Sequence, residues 1–206
     1  MRVVCVSDTH GQGRKVLVPE GDVLVHAGDL TGAGTLEQLE KEAGWLRSLP
    51  HGRKIVIAGN HDFAFQTQPR DARARMEGLT YLEDEEAVVD GVRFYGSPWQ
   101  PTFLDWAFNL DRGPPIRAKW DLIPEGTDVL VTHGPPAGVG DRTHRGATVG
   151  CADLTAAVAR VRPRLHVFGH IHEAYGVVER DGTRFVNAST CDVRYRPVNP
   201  PVVVDL

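Results

Sequence analysis

The chain has 206 residues, 41% of them hydrophobic and 24% charged, with a formal net charge of -4. That length supports one sizeable core, and the balance is that of an ordinary globular domain. A mildly acidic chain excludes bulk binding of nucleic acid or of a membrane surface, although a local cationic centre can still hold a small phosphate ester.

Residues 1–6 enter a strand-like run directly, without the charged, apolar and small-residue layout of a secretory leader, and no apolar run approaches a membrane span. Cys5, Cys151 and Cys191 are scattered and form neither a CxxC pair nor a disulfide framework, so a reducing cytoplasm is the expected setting. Cys5 reads as a core residue, and Cys191 lies in a polar loop that can approach a site. The first apolar run, residues 3–6, empties into Ser7-Asp8-Thr9-His10-Gly11, and the run at 23–25 is followed by His26-Ala27-Gly28-Asp29. Thr35 and Gln38 form a capping box for a helix whose Leu36, Leu39, Ala43 and Leu46 share a face, stopped by Pro50 and Gly52. A third run, 55–58, ends in Gly59-Asn60-His61-Asp62.

Asp90-Gly91 and Asp181-Gly182 are hairpin turn signals between apolar runs. Residues 129–131 lead into Thr132-His133-Gly134, and a second helix is expected from Leu154, Ala157, Val158 and Val161, stopped by Pro163. The run at 165–168 ends in Gly169-His170-Ile171-His172, and 202–204 reads as a closing strand. The first half alternates strand and helix while the second is rich in hairpins. The expected class is therefore α/β (α+β), two packed mixed β-sheets flanked by helices, in a single domain over residues 1–206. Residues 97–126, with Trp99, Phe103, Trp106, Phe108 and Trp120 among prolines, show little periodicity and read as a long functional loop.

His170 and His172, one residue apart, share a side if the chain stays extended, which suits two metal ligands or two solvated histidines equally. Asp8, His10, Asp29, Asn60, His133, His170 and His172 all follow apolar runs, and five loops of that kind favour a shared metal site at the strands' carboxyl ends. Imidazole and oxygen donors without thiolate suit Mn, Fe, Zn, Co or Ni rather than Ca.

The blocks Asp8-Thr9-His10, Gly28-Asp29, Gly59-Asn60-His61-Asp62, Thr132-His133 and Gly169-His170-Ile171-His172 resemble, in order, the five signatures of the calcineurin-like metallophosphoesterases. Residues 54–61, 122–126, 132–136 and 187–191 are similar to a metallophosphoesterase-domain-containing branch associated with cyclic-nucleotide phosphodiesterase activity. The resemblance implies that family's sandwich fold and two divalent or mixed-valence metal ions, Mn or Fe/Mn in first preference. It implies Asp8, His10 and His172 on one ion, Asn60, His133 and His170 on the other, and Asp29 between them. It also implies attack of a metal-activated hydroxide on phosphorus, with His61 as proton donor to the leaving oxygen and Asp62 orienting its imidazole. Two divalent ions, two carboxylates and a hydroxide sum to about +1, enough to attract a phosphate.

The implied substrate is a small phosphodiester such as a cyclic nucleotide. A phosphomonoesterase or protein phosphatase, and a nucleotide-binding scaffold of weak catalysis, stand as alternatives. Nothing in the chain specifies an oligomeric state. Trp99 and Phe108 are the expected pocket wall, and Arg142, His144 and Arg145 are candidates for touching substrate. His26 and His166 are expected in the core or behind the ligands, His51 in solvent, and the acidic run 83–86 on an exposed face.

Overall fold

Each long apolar run forms a strand whose two faces are both covered, which is why these runs are continuous rather than alternating. A computed structural model describes residues 1–206. In chain order the elements are β1 (Arg2–Val6), β2 (Val23–Ala27), α1 (Leu36–Ser48), β3 (Arg53–Ile57), α2 (Ala64–Thr67), α3 (Pro69–Arg75), β4 (Thr80–Tyr81) and β5 (Glu85–Val89). There follow β6 (Val92–Ser97), β7 (Gln100–Pro101), β8 (Asn109–Leu110), α4 (Pro114–Trp120), β9 (Val129–Thr132) and α5 (Ala152–Val161). The chain closes with β10 (Leu165–Phe168), β11 (Gly176–Arg180), β12 (Thr183–Asn187) and β13 (Val202–Asp205).

Two mixed sheets result, ordered β13-β1-β2-β3-β4 and β11-β12-β10-β9-β6-β5. Within the first, β1 to β4 run parallel, and within the second so do β6, β9, β10 and β12. Successive side chains of a strand face opposite ways. Val3 and Cys5 of β1 therefore enter the central core with Val129, Val131, Leu165 and Val167 of the other sheet. Val4 and Val6 face outward, against Leu39, Ala43 and Leu46 of α1. On the far side α4 and α5 cover the second sheet through Ile116, Trp120, Leu154 and Val158. The order is helix, sheet, sheet, helix, as the apolar pattern implies, and no helix is long and apolar enough to cross a membrane.

Local chemistry explains the ends of these elements. Thr35 Oγ1 accepts the Gln38 N–H at 3.2 Å and starts α1. Asp90 and Gly91, like Asp181 and Gly182, all have positive φ, the paired left-handed geometry of a tight hairpin. The sheets meet at the carboxyl ends of their parallel strands. Ser7 N donates to Ala188 O at 3.0 Å and Thr190 N to Ser7 O at 2.8 Å.

Three expectations need correcting. Residues 97–126 are not structureless, since β7 pairs with β8 and α4 follows, tied down by buried Ile116 and Trp120. His51 is buried, its Nε2 3.0 Å from Pro19 O, because the turn after α1 packs against the segment that precedes β2. The acidic run is not a uniform exposed face. Asp84 turns inward and accepts from Ser97 Oγ, Trp99 Nε1 and Lys119 Nζ at 2.8, 2.9 and 2.7 Å.

Candidate metal centre and active site

Five strand-end loops crowd onto the edge where the sheets meet, and the crowding shapes their backbone. Asp8, His10, Asp29 and His170 all have left-handed φ, between 45° and 69°, which costs a non-glycine residue on the order of 1 kcal/mol or more. At Gly169 even a Cβ would overlap the carboxylate of Asp8 and the side chain of Ser7. Only glycine lets β10 end against β1 at that distance.

The side chains gather into one buried cluster. His172 Nε2 lies 3.2 Å from His10 Nε2 and 3.4 Å from Asp8 Oδ1. His133 Nε2 lies 2.9 Å from Asn60 Oδ1. Asp29 Oδ2 stands between these groups, 3.7 Å from His10 Nε2 and 3.5 Å from His133 Nε2. Three sets of donor atoms lie within 4.8 Å of one another: Asp8, His10 and His172; His10, Asp29 and His61; Asp8, Asp29 and His133. His170 stands slightly farther off, its ring 5.0 Å from that of His133, and its main-chain N–H donates to Asp8 Oδ2 at 3.0 Å.

These residues fit metal ions. His172 Nδ1 and His133 Nδ1 each lie 2.9 Å from a main-chain carbonyl, those of Asp192 and Ala27. A carbonyl only accepts, so Nδ1 keeps the hydrogen and the neutral ring turns an Nε2 lone pair inward. His133 Nε2 then faces Asn60 Oδ1 as one acceptor facing another, and His172 Nε2 faces Asp8 Oδ1 in the same way. Each pair needs a proton or a cation between its members. Without metal, protons fill that place. Burial works against charge on His133, but Asp29 outweighs it and pushes the imidazole up to about 9. Asp8 does the same for His172, also to about 9. Against burial, the same imidazoles hold Asp8 and Asp29 below the usual carboxylate range. His10 and His170, where burial dominates, fall to about 4.

His61 sits at the rim, its ring 4.7 Å from that of His10. Its Nδ1 is held 3.0 Å from Gly32 O, which leaves Nε2 free. The expected partnership with Asp62 is not present. Neighbouring side chains in this turn point apart, and the Asp62 carboxylate accepts Gly59 N, Leu30 N, Thr31 N and Thr31 Oγ1 at 2.9, 3.2, 2.9 and 2.7 Å. It ties the loop after β3 to the loop after β2. Burial, reinforced by Asp29, raises its pKa to about 6.

A cleft of about 320 Å³ opens beside the cluster, lined by Gly134, His170 and Ile171 and by Phe103, Trp106 and Arg112 among others. Trp99 and Phe108 are not among its lining residues. Phe108 is buried, and Trp99 packs edge-on against it with its indole N–H on Asp84. The wall is formed instead by Phe103 and Trp106, 5.5 Å apart, because β7 and β8 hold the turn between them over the site. The Trp106 ring is 4.8 Å from that of His61.

Arg142 and Arg145 are exposed on the loop 141–150 and are not cleft residues. His144, also exposed, is paired with Glu173 through Nδ1 at 3.0 Å. The cationic wall residue is Arg112, fixed by the carbonyls of Val149 and Gly150 at 2.7 Å each. Tyr195 also lies outside the expected set. It has left-handed φ, and its ring lies 4.7 Å from His10 and 6.0 Å from His61. Arg112 and Tyr195 lack a local signal in the sequence. Cys191 is buried beneath this loop, its Sγ 3.8 Å from Thr9 O.

Known proteins resemble this chain. Residues 1–174 match the family described as calcineurin-like phosphoesterase. The human metallophosphoesterase domain-containing protein 1 is 49% identical, over 100% of this chain and 71% of its own length. A 3′,5′-cyclic-nucleotide phosphodiesterase of Nostoc is 26% identical, over 85% of this chain and 65% of its own. The structure of TT1561 from Thermus thermophilus superposes with a TM-score of 0.61 at 12% identity, covering 90% and 88% of the two chains, which speaks for the fold alone. The family's enzymes use binuclear metals on phosphate esters. With a family match over residues 1–174, a relative 49% identical across the whole of this chain and the clustered imidazole and carboxylate donors, this chain belongs to the calcineurin-like phosphoesterase family.

Proposed function

We propose that this protein is a cytoplasmic, single-domain phosphodiesterase that hydrolyses small diesters, cyclic nucleotides among them, at a two-metal centre. Asp8, His10 and His172 would hold one ion, Asn60, His133 and His170 the other, and Asp29 would be shared. The observation that carries this reading is Asp29 Oδ2, within 3.7 Å of a nitrogen from each group. When bound, two divalent or mixed-valence ions, Mn or Fe/Mn first and Zn, Co or Ni also compatible, supply Lewis acidity and a nucleophile near neutral pH.

The chain's own residues do the rest. Ala27 O and Asp192 O keep His133 and His172 turned inward, so the donor atoms need no reorganisation as substrate enters. His61, steadied by Gly32 O, presents a free Nε2 that in its protonated form hands a proton to the leaving oxygen. The cleft by Trp106 and Phe103 accepts the organic arm of the ester, and a planar base there would stack on indole. Its position next to His170 favours an ester with a substantial organic group. The similarity to the Nostoc cyclic-nucleotide phosphodiesterase points the same way.

The test is metal analysis of the purified protein with a panel of monoesters, linear diesters and cyclic nucleotides. Two ions per chain, faster turnover of diesters and loss of activity on chelation are expected. A strong monoester preference, or undiminished turnover after exhaustive chelation, would overturn the assignment.

A further inference from the structure

We propose that His26 and His166 are positioning residues, one for each half of the metal centre, each setting the ion affinity of its half by holding a threonine beside a ligand. The inference rests on the two-metal reading above. Both rings are fully buried, His26 on β2 and His166 on β10. His26 Nε2 lies 3.0 Å from Thr9 Oγ1, and Thr9 sits between Asp8 and His10. His166 Nε2 lies 2.8 Å from Thr132 Oγ1, and Thr132 directly precedes His133. In each sheet the bond runs from one strand to the end of its parallel neighbour, β2 to β1 and β10 to β9.

The donor can be assigned. The Thr132 hydroxyl donates to Gly134 O at 2.8 Å, so its oxygen offers a lone pair to His166, which must donate from Nε2. Thr9 Oγ1 has its own carbonyl acceptor, Leu30 O at 3.5 Å, so His26 Nε2 donates to it in the same way, and burial, which lowers His166 to about 3 and His26 to about 4, keeps both rings neutral. Each Nδ1 is buried without a partner. An unpaired buried nitrogen costs about 1–3 kcal/mol, and a leucine or phenylalanine would fill the same space without it. What the imidazole contributes is therefore the bond to threonine. The torsions of Thr9 and Thr132 govern where Asp8, His10 and His133 point. Asp8 and His10 hold left-handed backbone that a freed Thr9 would let relax.

The test uses the full-length protein, stripped by chelation and titrated with Mn²⁺, with free Mn²⁺ counted by electron paramagnetic resonance. His26→Leu and His166→Leu should each weaken one of two binding steps by about 10- to 100-fold, the usual scale for groups behind a ligand, and the double variant should weaken both. His→Gln, whose amide N–H reaches the Nε2 position, should restore binding at either site, whereas the shorter His→Asn should not. The Gln and Asn pair decides the matter even if a leucine variant fails to fold. Unchanged titration of the single variants, equal weakening of both steps by one substitution, or Gln no better than Asn would overturn the inference. A shifted melting temperature with an unaltered titration would also overturn it, as that is simple core filling. Fewer than two ions on the unsubstituted protein would instead sink the two-metal reading, and this inference with it.

Discussion

Truncating Trp106 separates recognition of a base from the chemistry at phosphorus. The indole is half-buried on the turn between β7 and β8, touching Phe103 and His61 but no core cluster, so Trp106→Ala should leave the fold intact. A base laid on one indole face removes roughly 80 Å² of apolar surface from water, about 2 kcal/mol at ~25 cal/mol per Å². That lies within the range of about 1–3 kcal/mol for base stacking on aromatic side chains. It corresponds to roughly a 30-fold loss in kcat/KM. The assay compares a 3′,5′-cyclic nucleotide with the ribose cyclic phosphate that lacks a base, on both proteins. The loss should appear on the nucleotide alone, and Trp106→Phe should recover most of it. Equal losses on both substrates would show that Trp106 acts through His61 or the fold, and would remove the stacking argument.

Other expectations follow from single contacts. His61→Ala should keep both ions yet slow esters with alkoxide leaving groups by about 10²–10⁴-fold, while p-nitrophenolate esters change little; equal slowing of both classes would refute proton donation. Asp62→Ala removes the acceptor of four buried hydrogen bonds and should cost about 3 kcal/mol or more, read as a lowered urea midpoint. A midpoint unchanged from that of the unsubstituted protein would contradict the tie between the two loops. Gly169→Ala would press a methyl onto Asp8 and Ser7, so bound Mn²⁺ should drop from two ions toward one or none, and full occupancy would show that the loop can yield.

Metal uptake should also depend on pH. His133 and His172, at about 9 against an ordinary 6.5, carry protons in the stripped protein at neutral pH. Their contacts with Asp29 and Asp8 stabilise the stripped fold fully below about pH 6.5, an effect lost as pH rises through about 9. Ion binding must expel both protons and so strengthens with rising pH, releasing at least two protons per chain near pH 7. Calorimetry in buffers of different ionisation enthalpy measures that release, and a value near zero would contradict the arrangement.

The strands and main helices are legible because their signals are local. Apolar runs at 3–6, 23–25, 55–58, 129–131 and 165–168 end in polar loops, and Asp-Gly pairs mark the hairpins at 90–91 and 181–182. The segment 97–126 hides its structure because β7 and β8 are two residues each, too short to carry a period. His51 and Asp84 escape a local reading for a related reason: their burial comes from distant chain folding over them. Asp62 suggests a partner for His61 because the two are adjacent, yet adjacency in a turn directs side chains to opposite sides.

What the chain determined by itself is where polar residues interrupt apolar strands, since burial and backbone pairing depend on short-range pattern. That was enough to name the residues of the cluster and to expect two sheets covered by helices. The tertiary structure alone decided which of those residues approach one another and from which atom. It set Asp29 Oδ2 between two imidazoles, aimed His133 and His172 through carbonyls of Ala27 at the end of β2 and of Asp192, and chose Trp106 and Phe103 over Trp99 and Phe108 for the cleft. Distances of 3–4 Å between groups more than a hundred residues apart depend on how whole sheets pack, and no local pattern carries that information.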